Sequence, residues 1–185
     1  MFGRQGFADA SIQGIAAEAK VVPNAVYYHF SGKEELFDVA LRVVIDSVNA
    51  VVAAARPVDG EPGDPNALGR VIDAVWDWME ANPEQARLLH SHLPGATRQA
   101  RALHQDFLDL HVQQAFDYLG SARVPESRRA AMIQYARHAL TVRTLITLTT
   151  NVSALHLEDG PLAGHARRSL RPALREVGTR IIRVR

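Results

Sequence analysis

The sequence predicts an all-α protein, and three observations carry that prediction. Between its breaks the apolar residues recur at helical spacing, and no segment alternates like a strand for long. Glycine and proline fall in clusters that end helices rather than turn hairpins. The chain has 185 residues, 47% hydrophobic and 22% charged, enough to bury the core such helices need.

The densest break is Pro57-Val58-Asp59-Gly60-Glu61-Pro62-Gly63-Asp64-Pro65, which no helix crosses. Before it, Ile12, Ile15, Ala16 and Ala19 form one face of a short helix. Lys20-Val21-Val22 interrupts the pattern, with Val21 expected as the apolar plug of a tight turn. Pro23 suits the first turn of a second helix, where its missing N–H costs nothing. In that helix Val26 and Phe30 face inward, while Asn24, Ala25, Tyr28 and His29 face out. Two short helices joined this way make a helix-turn-helix, whose second helix can enter a major groove. Ser31-Gly32-Lys33-Glu34 reads as a capping box for a long helix through Leu36, Phe37, Leu41, Val44 and Val48 to Arg56. At 1.5 Å per residue that helix spans roughly 36 Å, enough to link two domains.

After the break, Asp64-Pro65 opens a helix that buries Leu68, Ile72, Val75, Trp76 and Met79 and stops at Asn82-Pro83. A short helix runs from Glu84 to Leu93, ended by Pro94-Gly95, and another from Thr97 to Leu119, ended by Gly120. Pro125-Glu126 opens the longest, to Leu155, and Asp159-Gly160-Pro161 closes that stretch. The last helix carries the stripe Leu170, Leu174, Val177 and Ile181, with Pro172 either kinking it or marking its first turn. That stripe is expected to face a second copy of the chain, flanked by solvated arginines.

Composition excludes several classes of function. With no cysteine there is no disulfide framework, thiolate metal site or cysteine nucleophile. The sequence has no G-x-S-x-G, no H-E-x-x-H and no glycine-rich phosphate loop, so it reads as no enzyme and implies no cofactor. Ser153 and His156 lack an orienting carboxylate. His90 with His92, and His104 with His111, lack further ligands at metal spacing. Ala139–Leu155 holds Arg143 and five threonines and is too polar to span a bilayer, so the expectation is a cytoplasmic protein with no membrane partner. Net charge is −1 over residues 1–56, −4 over 57–164 and +6 over 165–185.

Phe2, Gly6-Phe7, Ser11-Ile12, Ile15-Ala16, Ala19, Val21, Tyr27-Tyr28-His29-Phe30 and Lys33-Glu34-Glu35-Leu36 resemble the N-terminal signature of TetR-type regulators. The resemblance implies a helix-turn-helix DNA-binding domain over residues 1–38. A long helix joins it to a C-terminal helical ligand-binding and dimerisation bundle over 39–185. It implies a homodimer that represses from a palindromic double-stranded DNA operator and is released by a small-molecule effector. Bases would be read by Val22, Pro23, Asn24 and Ala25, and phosphates gripped by Tyr27, Tyr28, His29 and Lys33. Ser11 joins the DNA-contacting set, and Tyr27 is expected to be the more buried of the two tyrosines. The alternative is a dimeric helical ligand-binding protein without DNA binding.

Three departures from the pattern carry expectations. Lys20 stands where the family has glycine in the turn, and Val22 where a serine caps the recognition helix. A first helix with a basic arm is expected ahead of Phe2, without which Ile12, Ile15, Val26 and Phe30 would be under-packed. Around a ligand cavity the expected residues are Trp76, Met79, Phe107, His111, Tyr135, His138 and Arg143, with Thr141 and Thr144 as further polar members.

Overall fold

The computed structural model is all-α and describes residues 1–56, 65–92, 97–119, 127–156 and 167–183, with Leu162 and Gly164. The described helices are α1 (Phe2–Asp9), α2 (Ile12–Glu18), α3 (Pro23–His29), α4 (Lys33–Ala55), α5 (Pro65–Ala81), α6 (Pro83–His92), α7 (Arg98–Leu119), α8 (Arg128–His156) and α9 (Arg167–Arg183). No strand occurs among the described residues. The breaks at 57–64, Pro94-Gly95, Gly120, Pro125-Glu126 and Asp159-Gly160-Pro161, and the side chains of His90, His92, Ser153 and His156, lie outside them.

α1 is two short helical pieces joined at Gly6, whose φ of 80° favours glycine. Phe2 is buried and meets the Phe37 ring edge-on at 5.1 Å, and Phe7 meets the same ring at 5.0 Å. This aromatic trio holds α1 against α4. On its other side α1 lies on α6 so closely that a Cβ at Gly3 would sit 2.1 Å from the Glu84 carbonyl oxygen.

α2 begins where Ser11 Oγ accepts the Gly14 N–H at 3.0 Å. Ala16 has no exposed surface, which lets α3 cross close by. Ile12 and Val26 are buried with it, closed over by Phe30 and Leu36. The expected under-packing is not seen at Ile12 and Val26, which are buried, and Ile15 and Phe30 are half-buried but packed against the cores. Lys20 takes the turn's left-handed position with φ 59°, a conformation that costs an L residue about 1–2 kcal/mol. Val21 is exposed rather than a plug, and it closes the turn through its backbone N–H to Ala16 O at 2.9 Å. Val22 caps α3 without a side-chain hydrogen bond.

The capping box is shifted by one residue. The N-cap of α4 is Gly32, and Glu35 rather than Glu34 accepts from Ser31 N–H at 2.7 Å and Ser31 Oγ at 2.6 Å. From there α4 runs 23 residues, burying Phe37, Leu41, Val44, Ile45, Val48 and Val52 in the main core. Trp78 of α5 donates its indole N–H to Ser47 Oγ at 2.9 Å. Thr97 accepts the Ala100 N–H and donates to Asp38, starting α7 beside α4.

The last helix corrects the sequence reading most. Leu174 is buried among Leu68, Ile72, Trp76 and Leu145 of the same chain, and Leu170 and Ile181 pack beside it. Leu170, Leu174 and Ile181 of the stripe are thus engaged by α5 and α8 of the same chain, while Val177 stays exposed. Arg171 bridges Asp73 and Asp77, and Arg175 reaches Asp73, so these partly exposed arginines also pin α9 to α5. Pro172 lies inside α9, beyond its first turn. Large apolar side chains stay exposed on α8 at Met132, Ile133, Tyr135 and Leu140, on α4 at Val39 and Val43, on α9 at Val177, and around α3.

Candidate DNA-binding face and ligand cavity

The buried Val26 roots α3 in the small cluster with Ile12 and Ala16, so the rest of α3 faces away. Val22, Pro23, Asn24, Tyr27, Tyr28 and His29 are all exposed, and Ala25 is half-buried. Tyr27 is 51% exposed against 84% for Tyr28, so Tyr27 is the more buried of the two, as expected. The Tyr28 and His29 rings meet edge-on at 5.0 Å. Exposed aromatic rings next to an amide and an imidazole form a surface able to stack, donate and accept, which suits phosphate and base edges. Ser11 is exposed but spends its oxygen on the α2 cap. Lys33 Nζ donates to Ala8 O at 3.1 Å and lies 4.6 Å over the Phe7 ring, so it ties α4 to α1.

The helix-turn-helix meets the remaining helices in two ways. α4 is continuous between them, and α1 presses on α6. Arg4 of α1 bonds both Glu18 of α2 and Glu84 of α6. These contacts hold the Glu18 carboxyl below the usual carboxylate range and raise the Arg4 guanidinium. The sequence offered no sign of this junction, since its partners are 14 and 80 residues apart along the chain.

Between α4, α5, α7 and α8 lies a cavity of about 70 Å³, lined by Val48, Val52, Ile72, Val75, Phe107, His111, Leu145 and Ile146 among others. Thr149 and Thr150 add hydroxyls from α8. His111, 7% exposed, packs edge-on against Phe107 at 4.4 Å, and its Nε2 has no hydrogen-bond partner. Burial, reinforced by the Arg56 charge, lowers the imidazole to about 4 against a hydrogen bond donated to the Gln114 side chain, so it is neutral at pH 7.

Of the seven residues expected at a cavity, Phe107 and His111 line it. Trp76 and Met79 are fully buried in neighbouring core clusters. Tyr135 is on the outer side of α8, and His138 is half-buried. Arg143 pairs with Asp109 across α7 and α8 at 2.7 Å. The α8 face at the cavity is Val142, Leu145, Ile146, Thr149 and Thr150, one helical stripe along from the expected Thr141 and Thr144. Among the described residues no group of three metal-ligating side chains is close enough to hold a metal, and no helix is long and apolar enough to cross a membrane.

A helix-turn-helix with an open second helix, carried on an all-helical bundle with an apolar cavity, defines the class of protein. Residues 1–40 match bacterial regulatory proteins of the tetR family. The chain is 30% identical over 89 residues to the HTH-type transcriptional repressor NicS of Pseudomonas putida, which covers 48% of this chain and 41% of that protein. It is 35% identical over 88 residues to the HTH-type transcriptional repressor SCO4008 of Streptomyces coelicolor, again 48% and 41%. These matches span less than half the length of either curated relative. Over the whole fold it is similar to a regulatory protein in the tetR family from Rhodococcus, with a TM-score of 0.71 at 20% identity over 98% of this chain and 90% of that one. Over residues 1–40 the chain is therefore similar to the tetR family of bacterial regulatory proteins, and the likeness to the Rhodococcus structure shows a shared fold.

Proposed function

We propose that this protein is a DNA-binding transcriptional regulator that represses as a homodimer on a palindromic operator and is released when a small molecule enters the bundle cavity. Residues 1–38 serve as the DNA-binding unit and 39–185 as the ligand-binding and dimerisation unit. The observation that carries this reading is the outer face of α3, where Asn24, Tyr27, Tyr28 and His29 stand exposed on a helix anchored by Val26. A ligand-binding protein without DNA contact leaves that face unexplained. The two curated relatives named as repressors support the direction of regulation.

In this reading Val22, Asn24 and Ala25, at the start of α3, meet base edges, while Tyr27, Tyr28 and His29 meet phosphates. Lys33 supports the fold of the unit as well as its charge, because its ammonium is held by Ala8 and Phe7. The exposed α8 side chains Met132, Ile133 and Leu140 supply the seam with a second copy, since a contiguous apolar helix face is rarely left to water. The setting for such a protein is the cytoplasm. The test is a footprint on DNA from the protein's own promoter: two protected half-sites about 34–36 Å apart support the dimeric reading. A single half-site, or no protection at any concentration that saturates the dimer, contradicts it.

A further inference from the structure

The bundle cavity has one end unlike the rest, and that end narrows the chemistry of its ligand; the inference rests on reading the cavity as the effector site. Its walls are apolar side chains of α4, α5 and α8, which favour a hydrocarbon over water. At one end the almost fully buried His111 leaves Nε2 without a partner. Arg56, one turn beyond the lining Val52 on α4, has a buried Nε that also lacks a partner. Val48, Val52 and Arg56 follow one another at four-residue spacing, so Arg56 continues the cavity-lining face of α4, and its charge acts on the His111 imidazole. Asn49, seven residues earlier on the same face of α4, has a buried amide oxygen with no partner either.

Buried polar atoms without partners are rare in native proteins and call for an occupant that satisfies them. A cationic N–H donor is satisfied best by an anionic oxygen, the more so where water is excluded. We propose that the cavity takes a small amphipathic carboxylic acid, with its hydrocarbon chain among the valines and leucines and its carboxylate at the Arg56–His111 end. One carboxylate oxygen accepts from Arg56 Nε. The other accepts from His111 Nε2, in the tautomer that Gln114 permits because its amide can donate to Nδ1 as well as accept from it. The Asn49 amide, turned about, offers a further donor. An alcohol of the same length would satisfy His111 but leave the Arg56 charge without a counter-ion.

The test is calorimetric titration of the full chain with straight-chain carboxylates of about four to ten carbons and with the matching primary alcohols. Acid affinity is expected to rise about fourfold per methylene until the cavity is full, as burial of each CH₂ requires. Each acid is expected to bind at least tenfold tighter than its alcohol. Arg56→Met should bring the acids down to the level of the alcohols without weakening the alcohols, and Arg56→Lys should keep the preference. Alcohols that bind as tightly as acids, or an acid preference that survives Arg56→Met, would overturn the carboxylate assignment and leave the cavity reading intact. Failure of both series to bind would overturn the assignment together with the cavity reading.

Discussion

Replacing Gly3 with alanine tests the contact between the helix-turn-helix and the bundle at its tightest point. The added Cβ would lie 2.1 Å from the Glu84 carbonyl oxygen, 2.9 Å from its carbon and 3.2 Å from its Cα. An ordinary carbon–oxygen approach is about 3.3–3.6 Å, so α1 and α6 must part by about 1 Å. The obstacle is backbone inside a helix and cannot rotate away, as a side chain could. Parting the helices also strains the Phe2–Phe37 contact and the reach of Arg4 to Glu84. Overpacking of this kind costs about 2 kcal/mol, and each kcal/mol lowers Tm by about 2–4 °C in a chain of this size, so a fall of about 4–8 °C is expected. Scanning calorimetry measures it, and hydrogen exchange should show the amides of α1 and α6 losing protection together. Gly32→Ala is the control, because a Cβ there meets nothing within 4 Å. If Gly3→Ala melts like the parent and α1 keeps its protection, the close approach is not what holds the two units together.

Lys20→Gly should stabilise the protein by about 0.5–1 kcal/mol in urea denaturation, because relief at φ 59° exceeds the extra chain entropy of glycine; a loss of stability would contradict the left-handed turn. If the exposed α8 face is the seam between two copies, Leu140→Arg should give a monomer in sedimentation with unchanged helicity, because Leu140 is exposed in the single chain. Leu174→Arg should instead lower Tm, because Leu174 is buried within its own chain. His111 carries a pH dependence whose sign follows from its depressed value. The unfolded chain takes up the proton first as pH falls, so the contribution is complete above about 6.5. It is lost on descending to about 4, and amounts to about 3 kcal/mol. His111→Gln should flatten the stability curve across that window, and parallel curves for the two proteins would refute the assignment.

How much of this was legible in the sequence depends on whether the information was local. The pairing of α2 with α3 was readable because Ile12, Ala16 and Val26 repeat at helical spacing around a short turn, and Lys20 in the glycine position announced its own strain. Asn82-Pro83 marked the end of α5 because a proline ring forbids the preceding turn in any context. The α9 stripe was visible, but a stripe says only that it is buried. The covering residues Leu68, Ile72 and Trp76 lie about a hundred positions away, and the ion pairs of Arg171 with Asp73 and Asp77 are equally distant in sequence. The capping box slipped because Ser31 can serve Glu34 or Glu35, and Gly32 adopts an extended conformation that moves the helix start by one residue. For the cavity, large aromatic residues drew attention to Trp76 and Tyr135, yet apart from Phe107, His111 and two threonines its walls are valine, leucine and isoleucine. Only the facing helices decide which stripe of α8 looks inward.

The central claim is that the outer face of α3 contacts DNA, and one titration tests it most directly. Fluorescence anisotropy against a palindromic fragment of the protein's own promoter, at two salt concentrations, compares the parent with Asn24→Ala, Tyr28→Ala and His29→Ala combined. All three side chains are exposed, so the variant should keep its Tm to within the small effect of surface substitutions. Binding by the parent that weakens with salt, and at least a tenfold loss in the variant at the same Tm, is the result this account predicts. Equal binding by a correctly folded variant would place the DNA contact elsewhere on the molecule and contradict it.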